Sequence, residues 1–207
     1  MKRLLPFRSY SEHNVIGMFA LDDAQVNDKV TDTSTGDDGV FVKIKSMDLN
    51  EKVDVGSNAF QGKTNYPYVY DNLFHSCPYK VEAAEQGDIP FAMTLLETAK
   101  TDEHGDNLTR VRPDKRESLQ VVVPGETTKL VRKGLFTLSS VAVDGDAPAT
   151  NDKLKISATA GKIEKATPGV DDAVAFGLCL GVATRASQTG ITDRFEGDTY
   201  LVSFDFG

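Results

Sequence analysis

The chain has 207 residues, a net charge of −8, and a composition that is 40% hydrophobic and 26% charged. These values are typical of a soluble globular chain and exclude a collagen, a disulfide scaffold and a zinc module. No run approaches the ~20 apolar residues of a membrane helix, and the acidic balance argues against nucleic acid as a partner. We therefore expect neither a membrane nor a nucleic acid among its partners.

The first 20 residues predict an extended N-terminal arm ahead of a single β-rich domain over residues 21–207. The first eight residues carry three bases and no acid, and no apolar stretch of secretory-signal length follows them. Aromatic and arginine side chains are frequent interface anchors. The candidate contact residues in the arm are Lys2, Arg3, Leu4, Leu5, Phe7, Arg8 and Tyr10. We expect the arm to become ordered only on binding, and the alternative is a terminal strand that packs on its own domain.

Short alternating runs predict strands at residues 40–47 and 119–123, the second ended by a Pro-Gly turn. Residues 90–100 fit either a helix or a strand over 93–96, and the pattern leaves both open. Residues 70–76 are a second helix candidate. Further strands are expected at residues 129–143 with a break at Gly134, and at 154–159, 162–164, 175–183 and 199–206. The spacing predicts a mainly β fold, a compact barrel or sandwich with long loops and at most one or two short helices.

The charge is unevenly distributed along the chain. Residues 1–108 carry 18 acids and 10 bases, whereas residues 109–207 carry 13 of each. Within the neutral half, residues 110–133 hold seven bases against three acids. The candidate contacts in this stretch are Arg110, Arg112, Arg116, Arg132 and Lys133. Two basic edges on an acidic body fit contact patches for an acidic protein surface, although solvated surface charge is equally consistent with the pattern.

Motifs of known chemistry are missing from the sequence. It contains no phosphate-binding loop, no dinucleotide fingerprint and no nucleophile elbow, and the acidic loop at 32–39 lacks the calcium-loop pattern. His75 lies two residues before Cys77, which fits a packed cysteine better than a nucleophile pair. Cys179, flanked by leucines, predicts a core position. We expect no catalytic residue, no metal and no cofactor.

Several segments resemble virion structural proteins of tailed bacteriophages, and the last of them resemble the small β-barrel head decoration (cement, or auxiliary capsid) proteins. The segments are LPFRSYSEHNVI at 5–16, FAL at 19–21, RPDKRE at 112–117, VPGET at 123–127, KGLFTL at 133–138, GL at 177–178, GVA at 181–183 and YLVSF at 200–204. The resemblance implies a non-catalytic protein, made in the host cytoplasm, that binds the outer face of the lattice of the major capsid protein. It also implies self-association, with a trimer possible.

Three other functions are compatible with parts of the sequence. A tail, fibre or receptor-binding module would have the same strand-rich character and acidic loops. A small hydrolase would use His75 and Cys77. The major capsid protein itself fits least well, because its fold needs a long spine helix and the sequence predicts none.

Overall fold

The computed structural model describes residues 3–27, 35–45, 79–102, 104–108, 113–185 and 197–206. The strands in this part of the chain are β1 Leu4–Ser9, β2 Val15–Leu21, β3 Phe41–Ile44, β4 Lys80–Ala83, β5 Ala92–Thr94, β6 Thr127–Val131, β7 Lys133–Ser139, β8 Lys153–Ile156, β9 Ile163–Lys165, β10 Gly177–Arg185 and β11 Gly197–Asp205. One α-helix, α1, spans Pro113–Leu119. The prediction of a mainly β fold with a barrel and very little helix is confirmed.

The strands form two bodies. Five of them close a barrel in the order β2-β4-β3-β5-β6, and six form an open sheet in the order β1-β7-β11-β10-β8-β9. All pairs are antiparallel except β2 with β4. A closed barrel has no free strand edges. The open sheet ends at β1 and at β9, and the backbone of residues 143–146 hydrogen-bonds along the outer edge of β9.

One long ribbon joins the barrel to the sheet. In the sheet, Leu4 of β1 pairs with Leu138 of β7, and in the barrel Val15 of β2 pairs with Val131 of β6. Because β1 runs into β2 and β6 runs into β7, residues 4–21 lie antiparallel to residues 127–139 through both bodies. The part of the predicted arm that the structure describes is therefore paired within the fold, which is the arrangement of a terminal strand that packs on its own domain.

Two large apolar clusters and one small one fill the described part of the fold. The barrel cluster is smaller and mainly aliphatic, with Val40, Val42, Val81 and Ala92 fully buried and the ring of Phe19 at its border. A larger cluster of aromatic rings lies between the barrel and the sheet. In it, the ring of Phe41 from β3 lies 5.0 Å from that of Phe176 and 5.5 Å from that of Phe204, and the Phe204 ring stacks on that of Phe136 at 5.1 Å. Since Phe41 belongs to the barrel and the other three to the sheet side, both bodies share one core.

The ambiguous segment 90–100 contains a strand and no helix. Ala92 and Met93 are fully buried, and β5 pairs with β3 on one side and β6 on the other. The barrel needs a fifth strand to close, so ring closure decides between two local patterns that the sequence cannot separate. The second helix candidate, at 70–76, lies outside the described residues.

The predicted strand at 119–123 is wrong. Leu119 ends α1, Gln120 has a left-handed φ of 55°, and Val122 makes only an isolated bridge to Thr98. Val121 and Val123 are buried because they pack in a small cluster with Ala99, and burial does not require a strand. The chain also breaks between β6 and β7 at residue 132, and not at the expected Gly134.

Candidate functional site

The outer face of the six-stranded sheet carries a small patch of leucines among polar and charged side chains. Strand register places Leu135, Ser203 and Leu178 in one row across β7, β11 and β10, on the side opposite the aromatic core. Leu201 of β11 lies in the next row, and Leu180 lies at a β-bulge in β10. Exposed fractions are 38% for Leu135 and 37% for both Leu201 and Leu180. We call Leu135, Leu178, Leu180 and Leu201 the leucine face.

Ion pairs border the leucine face. Lys133 pairs with Asp205 at the start of β7, and Lys153, which is in register with Leu178, lies 2.8 Å from Asp172. Each pair is exposed and contributes little to stability. Because each pair joins one positive and one negative side chain, the borders of the leucine face carry no net charge at these two positions.

The edge strand β1 exposes the side chains of its second half, residues 6–9. Phe7 is 78% exposed, which is the largest exposure among the big hydrophobic residues that the structure describes, and Arg8 is also exposed. In the register, Arg8 lies opposite Phe136 and Ser9 opposite Leu135, and the shift between Leu4 and Arg8 interrupts the regular alternation around Phe7. Arg8 forms no ion pair with any residue in the described part of the chain. We call Phe7 and Arg8 the β1 edge.

The backbone of β1 is poorly suited to accept another strand. Pro6 has no N–H to donate, and the pairing register shifts between Leu4 and Arg8. Prolines and bulges at an edge prevent the addition of a further strand. A partner at this edge would therefore be held by side chains.

A shallow groove of about 280 Å³ lies beside the same edge. Leu5, Leu96 and Leu119 form apolar walls, and Arg8 and Glu97 contribute charge. Glu97 already accepts a hydrogen bond from the buried side chain of Asn27. The groove is shallow and mixed in character, and in this structure it extends the surface around Arg8.

Three of the predicted contact residues are internal. Arg3 is 1% exposed and its Nε lies 3.5 Å from the Oδ2 of Asp37, while Leu4 and Leu5 are each 5% exposed. The pattern of basic and apolar residues that suggested anchors for a partner here anchors β1 to its own domain. Composition alone could not separate these uses, because both require the same side chains.

Two more are partly enclosed. The ring of Tyr10 stacks on that of Phe136 at 5.5 Å. The guanidinium of Arg132 lies 5.0 Å from the centre of the Phe91 ring and donates a hydrogen bond to the carbonyl oxygen of Phe206. Arg132 therefore links the barrel to the last strand of the sheet.

Of the remaining predicted contacts, one is ion-paired, one belongs to helix α1 and three lie outside the described residues. Lys133 is exposed but paired with Asp205, and Arg116 belongs to α1. Lys2, Arg110 and Arg112 lie outside the described residues. Among the predicted contacts whose exposure the structure describes, Phe7 and Arg8 are exposed and form no ion pair with another described residue.

Helix α1 is fixed by a buried carboxylate. Asp102, 2% exposed, receives a hydrogen bond from Lys115 Nζ at 2.7 Å and two more from the backbone amides of His104 and Asp106. The ammonium group of Lys115 is the main cause that lowers the pKa of Asp102 to about 2. These bonds tie the helix to the turn at 102–106, and they explain why a basic stretch folds against an acidic loop.

The other reactive side chain that the structure describes, the thiol of Cys179, is part of the core. Cys179 is fully buried, which raises the pKa of its thiol, so the prediction of a core cysteine is confirmed. His75 and Cys77 lie outside the described residues. Within the described residues, no cluster of three or more potential metal ligands occurs, and no helix there has the length and apolarity needed to cross a membrane.

No family model, curated protein or solved structure matches the chain. Its function is therefore inferred from the two surfaces and from the resemblance of its sequence segments.

The sequence contained one signal for the leucine face. The run at 178–180 is apolar at every position, as in a strand with both faces buried. The structure covers one side of that strand, with Cys179 in the core and Leu180 exposed.

Proposed function

We propose that the protein is a non-catalytic capsid decoration, or cement, protein that binds the outer face of a phage head lattice and stabilises it. The observation that carries the proposal is Phe7, a large apolar side chain presented on a fixed edge strand and 78% exposed. The resemblance of the surrounding segment to phage virion proteins indicates the class of partner, the major capsid protein. In this proposal the β1 edge is the contact.

The β1 edge is preorganised for such a contact. Strand β1 is paired with β7, and Leu4 and Leu5 beside Phe7 are buried. Binding through a strand that is already ordered avoids much of the entropic cost of association. Burying one phenylalanine side chain contributes about 1.5–3 kcal/mol, which is weak for a single site. A lattice with many copies of the site turns weak contacts into firm attachment.

Arg8 supplies the charged part of the contact. Because it lacks an ion-pair partner among the described residues, its guanidinium is available for a carboxylate of the partner, with which it can form two parallel hydrogen bonds. A rim charge of this kind acts mainly on the association rate and on salt dependence. Lattice binding should therefore weaken as the salt concentration rises.

The copy number in purified particles tests the class of function. A decoration protein is present in hundreds of copies, and heads that lack it lose DNA or break at lower temperature than complete heads. A handful of copies per particle would instead indicate the tail, fibre or receptor-binding module. Absence from purified particles would overturn both functions.

Substitutions at the β1 edge test the contact. We expect Phe7→Ala to weaken binding to heads assembled without this protein by about 10- to 100-fold, the loss of one buried aromatic anchor. Arg8→Ala should reduce affinity less and flatten its salt dependence. The matched control is Ile89→Ala, which removes a side chain that is 64% exposed elsewhere. Binding of Phe7→Ala equal to that of the control would exclude the β1 edge as the contact.

A further inference from the structure

We propose that two copies of this chain join through a short free edge of strand β10, so that their open sheets continue into one another across a two-fold axis. The free edge is formed by residues 181–184, which we call the β10 edge. It is distinct from the β1 edge, and the proposal does not depend on lattice binding.

The β10 edge exists because the hairpin of β10 and β11 is longer than its neighbours. Pairing between these two strands continues to Arg185 opposite Gly197, whereas β8 pairs with β10 at residues 177–178. Ahead of β8, Asn151 has a left-handed φ of 72°, and its amide donates a hydrogen bond to the carbonyl oxygen of Cys179 on this side of β10. Beyond Cys179, β10 therefore has β11 on one side and, among the described residues, no strand on the other.

The backbone polar groups of the β10 edge alternate between β11 and the open side. Ser139 of β7 donates its amide to the segment that leads into β1, so its register partner Thr199 faces β10. There Thr199 lies opposite Ala183, and its hydroxyl donates to the carbonyl oxygen of Ala183. Because backbone groups alternate in direction along a strand, the N–H and C=O groups of Val182 and Thr184 face the open side. Within the described part of the chain, no backbone hydrogen bond reaches them there.

The β10 edge lacks the features that normally protect a strand edge. At the other edges, β1 carries Pro6 and a register shift, and residues 143–146 hydrogen-bond along β9. Residues 181–184 contain no proline and no charge. Val182 is 42% exposed, and the two residues after it are also exposed. An unprotected edge accepts a further strand, so the partner that this surface fits is an extended backbone.

A second copy of the chain is the occupant that the described residues specify. Since β1 and β9 are protected, the strand that a second copy can offer is β10 itself. Two identical strands in antiparallel pairing are related by a two-fold axis, which is the commonest symmetry of protein dimers. Each chain carries a net charge of −8, but residues 181–184 are uncharged, so no like charges meet along the paired edge.

The register follows from the two residues that face the open side. With the axis at Ala183, Val182 lies opposite Thr184 of the second copy, and each of these pairs of β-branched residues exchanges two hydrogen bonds. The two Ala183 residues form the central pair, whose Cα atoms would lie about 4.5 Å apart, a spacing that suits small side chains. An axis at Val182 would instead place Thr184 opposite the bulge at Leu180. The short length of the pairing predicts a weak, reversible dimer.

Cysteine cross-linking tests the proposal and its register. Ala183→Cys places two thiols at the axis, within the Cα separation that disulfides allow. Under mild oxidation, we expect a covalent dimer on a non-reducing gel to form at least about tenfold faster than with Ile89→Cys, which reports random collision. Ile89 is 64% exposed and lies outside the β10 edge. The wild type, with its own cysteines, gives the background. Equal rates for Ala183→Cys and Ile89→Cys would overturn the proposal.

A proline tests whether backbone groups hold the dimer. Val182→Pro removes an N–H that faces the open side and no hydrogen bond to β11, so the fold should be retained, as circular dichroism checks. Combined with Ala183→Cys, it should slow cross-linking by at least about tenfold. Val182→Thr keeps both the N–H and a β-branched side chain and should leave the rate unchanged. If the proline variant unfolds, Val182→Lys replaces it, because a lysine protects an edge in the same way. Cross-linking of all these variants at one rate would contradict the proposed pairing.

Sedimentation velocity and head binding separate this inference from the proposed function. We expect the wild type to dimerise reversibly with rising concentration and Val182→Pro to remain monomeric and still bind heads. A wild type that stays monomeric at millimolar concentration would overturn the dimer, and loss of head binding by Val182→Pro would then assign the β10 edge to an extended segment of the lattice. A wild type that dimerises and binds no heads would leave the dimer standing and refute the proposed function.

Discussion

The barrel and the six-stranded sheet are built from similar short strands, yet they end with different surfaces. In the barrel, every strand has two neighbours, and the outward-facing Lys43 of β3 lies 2.8 Å from Asp88 and 3.7 Å from Glu82. The hydrogen bond from Lys43 lowers the pKa of the Asp88 carboxyl and raises that of the lysine. Closure thus leaves the barrel without a free strand edge, whereas the open sheet leaves an edge strand and a patch of leucines exposed.

The two bodies nevertheless share a core, and this link can be broken at one residue. Phe41→Ala removes the barrel ring that packs on Phe176 and Phe204, and we expect a loss of about 3–5 kcal/mol in the free energy of unfolding. Urea unfolding followed by circular dichroism measures it. The control Val81→Ala, within the barrel interior, should cost about 1–2 kcal/mol. A smaller loss for Phe41→Ala than for Val81→Ala would show that the barrel and the sheet are independently stable.

A second substitution distinguishes the sheet edge from the barrel. Gly134 has a φ of 157°, and an added Cβ would lie 2.8 Å from the carbonyl oxygen of Ser9 and 2.9 Å from the Cβ of Tyr10. Gly134→Ala should therefore push β1 away from β7, at a cost of about 1–3 kcal/mol. Hydrogen exchange should show faster exchange of the β1 amides with unchanged barrel amides.

Gly17 in β2 provides the matched control for this effect. An added Cβ there meets no atom within 4 Å, so Gly17→Ala should leave exchange in both bodies close to that of the wild type. Uniformly faster exchange in Gly134→Ala, in β2 and β6 as well as β1, would show that the ribbon of residues 4–21 opens as one unit.

The smallest expected effect concerns helix α1, which the ion pair between Lys115 and Asp102 holds in place. The pKa of Asp102 is about 2 in the folded chain, below the usual carboxyl range, because Lys115 stabilises the carboxylate. A lowered folded-state pKa gives stability that is fully present above about pH 4 and is lost as the pH falls towards about 2. In Asp102→Asn this loss is absent, so the melting temperature should change less between pH 4 and pH 2 than in the wild type. Asp205→Asn, at an exposed ion pair, should keep the wild-type acid dependence, and a flattened profile in that control would assign the effect to general charge repulsion.

Strand prediction succeeded where side chains alternate and turns are marked. The alternation at 199–206 gives β11, and the turn at Gly161, with its left-handed φ of 72°, separates β8 from β9 as expected. Strand prediction failed at 121–123, where three valines are buried without forming a strand. A β-branched run reports that a segment is buried, and the surrounding structure decides whether a neighbouring strand is available to pair with it.

The candidate site was predicted only in part. Of the arm residues that the structure describes, Phe7 and Arg8 are exposed, whereas Arg3, Leu4 and Leu5 are buried. The sequence identifies all five as suitable anchors, because size, charge and polarity are properties of single residues. Whether an anchor faces a partner or its own domain depends on a strand some 130 positions away, β7, with which β1 pairs.

Local sequence determined that this protein is mainly β, that Cys179 is buried, and where most strands of its second half lie, since alternation and turn residues act over a few neighbouring positions. Tertiary structure decided that residues 92–94 close a barrel, that the N-terminal segment is an edge strand, and that leucines from β7, β10 and β11 form one exposed face. These outcomes depend on pairing between distant segments, and no short-range pattern specifies which face of a strand the rest of the chain will cover.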